Sequence, residues 1–229
     1  MSTVCWVKES AFGIWFLNTG TWLNRVLKRA IIDLEALLPD KQSNYSAILD
    51  IGCGRGNSFK LLDEHFNPGI IAAIEIDESL VVDAIKLGQM CRCHVNVAVG
   101  NAETLPYHNQ TFDMVFCHQS FHHIIRHEQA MQEFYRVLKP GGVLLFAESC
   151  KKFIHSLPIR LLFRHPLTVQ KSADEYLTLI RHSGFHVAPE SISTPYLWWS
   201  RPDIGAFEWF GFNVPQQREE TLLNLVAVK

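Results

Sequence analysis

ILDIGCGRG, residues 48–56, carries an apolar run straight into three alternating glycines. A run of this kind is typical of a strand buried on both faces, and the glycines let backbone amides approach a ligand without interference from a Cβ. Asp50 lies just before the turn, where its carboxylate would repel a pyrophosphate and attract a cation. The turn therefore predicts a ligand with an ammonium group rather than a phosphate.

Apolar runs and helical patterns alternate on either side of this turn. Strands are predicted at 47–51, 70–76, 95–99, 114–117 and 143–147, and helices at 58–66, 79–87 and 128–138. Continuous apolar strands separated by helices indicate a parallel sheet that is covered on both faces. The sequence therefore predicts an α/β fold.

The flanks of this alternating region carry further helix and strand patterns. Apolar residues at helical spacing predict an amphipathic helix over 21–38, and a capping box at 172–175 predicts a helix to about His182. Two closing strands are predicted at 185–187 and 222–228. The segment of about thirty residues between them is rich in Pro and Trp, and segments of that length commonly serve as lids or binding loops.

Composition excludes a general polyanion binder. The chain has 229 residues, of which 48% are hydrophobic and 19% charged, and its formal net charge is 21 − 23 = −2. Nonspecific affinity for nucleic acid requires a basic excess, which this chain lacks. We therefore expect no nucleic-acid partner.

Segment lengths and cysteine spacing predict a cytoplasmic location. No apolar run reaches the ~20 residues that cross a bilayer, and Lys8 and Glu9 interrupt the kind of apolar stretch that a signal peptide needs. The six cysteines are scattered along the chain, unlike the dense framework of a small secreted domain. We expect them to be reduced thiols, and we expect no stable membrane insertion.

Six sequence elements occur in the order found in one enzyme family. They lie at 50–56 (DIGCGRG), 75 (Glu), 100–106 (GNAETLP), 112–115 (FDMV), 121–124 (FHHI) and 136–142 (RVLKPGG). Together they resemble the class I S-adenosylmethionine-dependent methyltransferases of the methyltransferase type 11 kind, most closely the branch that contains the quinone-biosynthesis enzymes. The resemblance covers about residues 45–148, with further agreement near 172–187.

This resemblance implies a Rossmann-like sheet of seven strands, mostly parallel with an antiparallel last strand, and with helices on both faces. It implies S-adenosylmethionine as the cofactor, lying across the carboxyl ends of the strands. Gly52 and Gly54 would form the backbone floor beneath this methyl donor, with Asp50 near its amino group. The main chain near His118 would border its methionine part.

The resemblance also assigns four residues to the nucleoside half of the donor. Glu75 would hold the ribose hydroxyls, Ile76 would pack on the adenine, and Asn101 and Ala102 would meet the adenine edge. The family usually has Asp where this chain has Asn101. An amide oxygen still accepts a hydrogen bond from an amino group, but without the charge that makes such a bond roughly twice as strong.

His122 is the predicted catalytic residue. A sulfonium already activates its methyl group, so the protein must mainly align the nucleophile, the carbon and the sulfur. Phenol or alcohol acceptors would also profit from a general base, and His122 lies just beyond the fourth strand, where this family places residues near the transferred methyl. The alternative is a histidine that only packs the loop or bonds a backbone carbonyl.

A cluster of potential metal ligands lies in the same region, but we predict no metal site. The candidates are Cys117, His118, His122, His123 and His127. One loop would have to aim all of them at one point, and no second carboxylate-rich segment joins them. The Cys-Arg-Cys-His stretch at 91–94 is interpreted as a surface turn, because a structural zinc site needs a second ligand pair.

The flanks of the core are predicted to recognise the acceptor. All six tryptophans lie there, at positions 6, 15, 22, 198, 199 and 209. In the resembling family these flanks form the pocket over the methyl donor, and aromatic walls suit a flat or apolar acceptor. The alternative is that these rings anchor the N-terminal helix and stabilise the long loop.

Residues 151–171 mix apolar and basic side chains. This composition suits either peripheral contact with a membrane surface or an acceptor with an anionic group and an apolar body. It fits equally a helix that covers its own core and extends its cationic ends into solvent. The sequence alone does not distinguish between these interpretations.

The complete prediction is a single methyltransferase domain over 1–229. Residues 1–44 would form an N-terminal helical cap, 45–148 the donor-binding core, and 149–229 a part with segments that cover the substrate. Its function would be methyl transfer from S-adenosylmethionine to a small-molecule acceptor that is apolar or aromatic. The alternatives are a regulatory protein that binds the donor without catalysis, and an NAD(P)-dependent oxidoreductase, against which Asp50 and Asn57 count.

Overall fold

Seven strands form one sheet in the computed structural model, which describes residues 6–201, 209–211, 213 and 218–229. The strands are β1 (Tyr45–Ile51), β2 (Pro68–Glu75), β3 (His94–Val99), β4 (Phe112–His118), β5 (Leu138–Ser149), β6 (Ile192–Ser193) and β7 (Leu222–Val228). Their order across the sheet is β3-β2-β1-β4-β5-β7-β6, and β7 runs antiparallel to both of its neighbours. The predicted class, a mostly parallel sheet with one reversed strand at the end of the chain, is confirmed.

Helices cover both faces of the sheet. The α-helices of the described part are α1 (Ala11–Phe16), α2 (Lys28–Ala36), α3 (Phe59–Phe66), α4 (Glu78–Gly88), α5 (His127–Val137), α6 (Lys151–Ile154), α7 (Leu157–Leu162) and α8 (Ala173–His182). Two clusters of buried apolar side chains lie on opposite faces of the sheet, one beneath α5 and α8 and one beneath α2 and α3. The predicted capping box is present, since the Ser172 hydroxyl accepts from the Glu175 amide and the Glu175 carboxylate accepts from the Ser172 amide.

The central strands explain why the sequence pattern was so apolar. β1 pairs in parallel with β2 on one side and β4 on the other, and Ile48, Leu49 and Ile51 are at most 1% exposed. A strand buried on both faces has no solvent side, so its residues do not alternate between apolar and polar. The carboxyl ends of β1, β2, β4 and β5 meet at the same edge of the sheet, which places the loops that follow them side by side.

Two elements differ from the sequence-based expectation. The strand predicted at 185–187 is a single bridge between His186 and Val228, and the edge strand is Ile192–Ser193 instead. The helix predicted over 21–38 begins with a π-helical turn, Trp22–Leu27, before α2. Such wide turns are rare and often occur at functional sites.

The described part of the chain contains no helix that is long and apolar enough to cross a membrane. Five cysteines are free thiols, namely Cys53, Cys91, Cys93, Cys117 and Cys150, and Cys5 lies outside the described residues. The Cys-Arg-Cys-His stretch at 91–94 forms a bend that enters β3, as predicted. On α7, Leu157 and Leu161 are more than 70% exposed; the peripheral membrane contact suggested for 151–171 stays a prediction.

Candidate active site

The glycine-rich turn after β1 forms the floor of the site. The amides of Gly52 and Cys53 both donate to the Ile74 carbonyl of β2, at 2.9 and 3.1 Å. This bond pattern turns the chain back across the end of β2 and gives Gly52 a φ of +65°. A Cβ added at Gly52 would lie 2.6 Å from the Ser120 Cβ, so only glycine fits.

Gly52→Ala should therefore destabilise the protein by roughly 2–4 kcal/mol, because left-handed strain adds to a steric clash. Gly54→Ala is the matched control, since Gly54 also has a positive φ of +56° but no atom of the described residues lies within 4 Å of its added Cβ. We expect this control to lose only about 1–2 kcal/mol. Urea unfolding of both variants measures the difference, and equal losses would contradict the close contact with Ser120.

Asp50 lies beneath this turn, near the end of β1. Its side chain is buried and accepts a hydrogen bond from the Ser58 hydroxyl, just before α3. Burial raises the pKa of the Asp50 carboxyl to about 7, against the opposing effect of the Ser58 bond and with a smaller contribution from the nearby Glu75. A cationic ligand would relieve this cost, because an opposite charge favours the ionised carboxylate.

Glu75 at the end of β2 joins the two turns of the site. Its carboxylate accepts from the Gly54 amide at 2.8 Å and from the Asp77 amide at 2.9 Å. Burial raises the pKa of Glu75, although these amide bonds lower it. A carboxylate has about four lone-pair sites, so two remain for a ligand with paired hydroxyl groups.

All eight residues that the resemblance assigned to the methyl donor line two adjoining cavities. One is lined by Gly52, Gly54, Glu75, Ile76, Asn101 and Ala102, and has a volume of about 150 Å³. The other, of about 100 Å³, is lined by Asp50, Gly52, Gly54 and His118. The structure therefore brings the predicted residues together around one elongated space.

Two of these residues have additional local roles. The Asn101 side-chain oxygen accepts from the Glu103 amide at 2.9 Å, so it also shapes its own loop. The His118 ring stacks on Phe116 and contacts Trp22, with ring centroids 6.1 and 5.7 Å apart. Burial lowers the pKa of His118 to about 4, so this ring is neutral near pH 7.

A third, larger cavity of about 280 Å³ adjoins the first two and has aromatic walls. Its aromatic lining consists of Phe12, Phe16, Trp22, Phe153, Phe163, Trp198 and Trp199. Three of the six tryptophans thus line it, whereas Trp6 borders the 150 Å³ cavity and Trp15 and Trp209 are exposed. Leu17 and Gln119 line all three cavities, which makes them the junction between the spaces.

His122 lines this aromatic cavity and is held by a buried carboxylate. Its Nδ1 lies 2.6 Å from Glu148 Oε2, while Glu148 Oε1 accepts from the Ser120 and Phe121 amides at 2.8 and 2.7 Å. A carboxylate on Nδ1 favours the tautomer with a proton there, which leaves the lone pair on Nε2. The pair has the geometry of a general base with its orienting group.

The five candidate metal ligands of the sequence do not converge. Cys117 contacts Ser120 and Glu148, His118 lies in a donor cavity, and His127 Nε2 bonds the Phe121 carbonyl. Only His122 and His123 have neighbouring rings, with centroids 4.5 Å apart.

Sequence reasoning missed several residues of the site. Glu148 follows an apolar run as Asp50 and Glu75 do, so the same signal could have found it. Gln119 has a φ of +50° and accepts from the Ser149 hydroxyl at 2.6 Å. No local pattern marks His165, which comes from a distant segment and reaches His122 only through the tertiary fold.

The reversed last strand and the carboxylates at the ends of β1 and β2 define the class I methyltransferase fold. Residues 49–146 match the family model described as a methyltransferase domain. Residues 49–146 therefore form a methyltransferase domain, and the resemblance seen in the six sequence elements is confirmed for this region. The family model and the fold imply S-adenosylmethionine as the cofactor, and they support the predicted enzyme class for residues 49–146.

Curated relatives share the domain but not the full length. Phosphoethanolamine N-methyltransferase 3 of Arabidopsis thaliana is 26% identical over 143 residues, 62% of this chain and 27% of that protein. A ubiquinone/menaquinone biosynthesis C-methyltransferase of Hydrogenovibrio crunogenus is 31% identical over 132 residues, 56% of this chain and 50% of that protein. The chain spans about a quarter to a third of the length of the plant relatives it matches.

A solved structure supports the fold along nearly the whole chain. It is the complex between the Haloferax volcanii Trm112 methyltransferase activator and a methyltransferase, with a TM-score of 0.68 and 20% identity. The match covers 97% of this chain and 98% of that one. At this identity the likeness establishes the fold alone.

Proposed function

We propose that this protein transfers a methyl group from S-adenosylmethionine to a small-molecule acceptor that is apolar or aromatic. The observation that carries this proposal is the junction at Leu17 and Gln119, where the cavities around the glycine turn open into the aromatic cavity. Methyl transfer requires the donor and the acceptor to meet in line, and this arrangement provides one space for each.

The donor would lie along the two smaller cavities. Asp50, with Gly52, Gly54 and the main chain near His118, would hold its amino-acid part, since a buried carboxylate favours an ammonium group. When bound, the donor supplies a methyl group already activated on a sulfonium.

The nucleoside part would lie in the other donor cavity. Glu75 would accept the ribose hydroxyls, while Ile76, Asn101 and Ala102 would border the adenine. The proximity of all four in one cavity supports this assignment.

The acceptor would occupy the aromatic cavity, with its nucleophile turned towards His122. Seven aromatic side chains supply apolar contact area, and polar side chains such as Arg25, Gln119 and Ser149 also line this space. Glu148 holds His122 so that Nε2 can accept the proton of an acceptor hydroxyl. His122 is thus the proposed catalytic residue and Glu148 its positioning residue.

We further propose the division into a helical cap at 1–44, a donor-binding core at 45–148 and acceptor-covering segments at 149–229. Aromatic residues from both flanks line the acceptor cavity, which supports this division. Residues 202–208, 212 and 214–217 of the predicted covering segment lie outside the described residues. The cytoplasmic location and the absence of a nucleic-acid partner remain part of this proposal.

Donor affinity should depend on pH through Asp50. Since the pKa of its carboxyl is raised to about 7 in the free protein, it is mostly protonated at pH 6 and must lose a proton to pair with an ammonium. Affinity should therefore rise roughly tenfold between pH 6 and 7.5. Calorimetric titration with S-adenosylhomocysteine measures this slope. Asp50→Asn should bind more weakly and with a much flatter pH dependence; an unchanged slope would contradict the assignment.

Incubation with methyl-labelled donor and small-molecule fractions from the source cell tests the function itself. We expect one apolar or aromatic fraction to become labelled, and the label to require intact protein. If the donor binds but no fraction is labelled, and a stable protein complex forms instead, the regulatory alternative replaces the catalytic one. If the protein binds a nicotinamide dinucleotide and not the donor, the oxidoreductase alternative replaces both.

A further inference from the structure

Three imidazole rings meet at the wall of the aromatic cavity. His122, His123 and His165 each offer a ring nitrogen, and these three atoms lie within 4.8 Å of one another. Their ring centroids are 4.5 to 5.0 Å apart. All three line the aromatic cavity, and His123 also lines the cavity around Glu75.

The surroundings of His123 and His165 favour the neutral forms of these two rings. Burial lowers the pKa of His123 well below its ordinary value and that of His165 to about 3, and the neighbouring His122 adds to both effects. The neutral form of imidazole is the one that binds metal ions. The lowered pKa values agree with the geometry of a metal site, but they do not by themselves identify one.

The outer nitrogens of two rings have the partners found around metal-bound histidines. His122 Nδ1 lies 2.6 Å from Glu148, and His123 Nδ1 lies 3.2 Å from the Val7 carbonyl. In metal sites a carboxylate or a backbone carbonyl commonly orients the ring in this way. In both rings Nε2 is therefore the nitrogen left to bind a metal ion, and that of His123 lies 3.7 Å from Glu9 Oε2.

The third ring has a nitrogen that lacks a partner. The His165 side chain is only 5% exposed, and its Nδ1 is buried without a hydrogen-bond partner among the described residues. A buried polar atom normally has one. Glu9 lies nearby, with Oε2 3.7 Å from His123 Nε2 and 4.0 Å from His165 Nε2.

We propose that His122, His123 and His165 bind one divalent transition-metal ion of the zinc type, beside the acceptor. Imidazole ligands suit zinc and the neighbouring transition metals, and three protein ligands leave one position open. Tetrahedral zinc places its nitrogen ligands about 3.3 Å apart, so the ring nitrogens need to approach one another by up to about 1.5 Å. Glu9 is placed to approach the open position.

Occupancy of this site should inhibit methyl transfer. This consequence rests on the proposed function, because the ion and the acceptor's proton would compete for the same lone pair on His122 Nε2. A metal-loaded protein should therefore be less active than a stripped one, and a chelator should restore its activity. If the ion instead raises activity, the base role of His122 is wrong, while the metal site stands.

The binding test needs no acceptor. Tag-free protein is stripped with EDTA, dialysed and titrated with Co²⁺, whose visible absorption reports tetrahedral nitrogen ligation. We expect one ion per chain, displaced by Zn²⁺. His165→Asn should weaken Co²⁺ binding at least tenfold, whereas His182→Ala, which removes an exposed histidine on α8, should leave it unchanged.

A second variant tests the carboxylate behind one of the ligands, and donor binding tests whether the first variant is folded. Glu148→Gln should lower Co²⁺ affinity by about 10–100-fold, the usual effect of a partner behind a ligand. Because His165 lines neither donor cavity, S-adenosylhomocysteine binding by His165→Asn verifies that this variant is folded. Absence of stoichiometric Co²⁺ binding, or equal affinity in the wild type and His165→Asn, would overturn the proposal. Co²⁺ binding without donor binding would instead refute the proposed function alone.

Discussion

Glu75→Ala should lower the affinity for S-adenosylmethionine by at least about a hundredfold, because it removes the two charged hydrogen bonds that we propose to the ribose, worth roughly 1.5–3 kcal/mol each. The carboxylate is already fixed by the Gly54 and Asp77 amides, so it loses little entropy on binding. Calorimetry with the donor and with S-adenosylhomocysteine measures the effect. The increase in melting temperature produced by either ligand should largely disappear.

Two further variants distinguish the loss of donor contacts from a loss of folding. Glu75→Ala also leaves two amides without their acceptor, so Glu75→Gln, which preserves shape and one oxygen, should fold better and still lose about tenfold in affinity. Glu78→Ala removes an exposed carboxylate from the first turn of α4 and should bind normally. A dissociation constant for Glu75→Gln within threefold of the wild type would exclude the ribose assignment.

His122→Ala should lower kcat by about 10²–10⁴-fold with the acceptor found by labelling, the range typical of a lost general base. The assay uses metal-stripped protein. The dissociation constant of the donor should remain unchanged, because His122 lines the aromatic cavity and not the donor cavities. Added imidazole should restore part of the rate, which a purely structural histidine would not allow.

Glu148→Gln tests the positioning role separately. The amide can still accept from Ser120 and Phe121 but no longer favours a proton on His122 Nδ1, so kcat should fall less than in His122→Ala while donor affinity is retained. His155→Ala, which removes an exposed histidine after α6, is the control and should have a normal kcat. A loss below tenfold in His122→Ala would show that alignment alone suffices for this acceptor.

The central sheet was predictable because burial leaves a direct mark on the sequence. The apolar runs at 47–51 and 114–117 fall inside β1 and β4, since a strand covered on both faces has no polar alternation. The sheet edge was not predictable in the same way. Ile192–Ser193 is too short to show a period, and the apolar residues at 185–187 are buried next to β7 without forming a strand.

The residues of the candidate site also differ in whether the sequence could predict them. Asp50 and Glu75 are found in the sequence because each ends an apolar run, which places it at the carboxyl edge of the sheet. The His165 ring reaches His122 from a segment without periodic structure, and Glu9 reaches His165 from before α1. Contacts of that kind depend on how the chain ends fold over the sheet, which local patterns do not encode.

The aromatic cavity has consequences for redesign. Its rings come from 12–22 before the sheet and from 153–199 near the end of the chain, whereas the glycine turn and Glu75 come from the sheet itself. Under the proposed function, residues 153–199 would therefore serve the choice of acceptor alone, whereas the segment before the sheet would serve both sites, since Leu17 and Trp22 also line a donor cavity. Grafting residues 153–199 onto another scaffold of this fold should therefore change the choice of acceptor and leave the recipient's own nucleoside pocket in use.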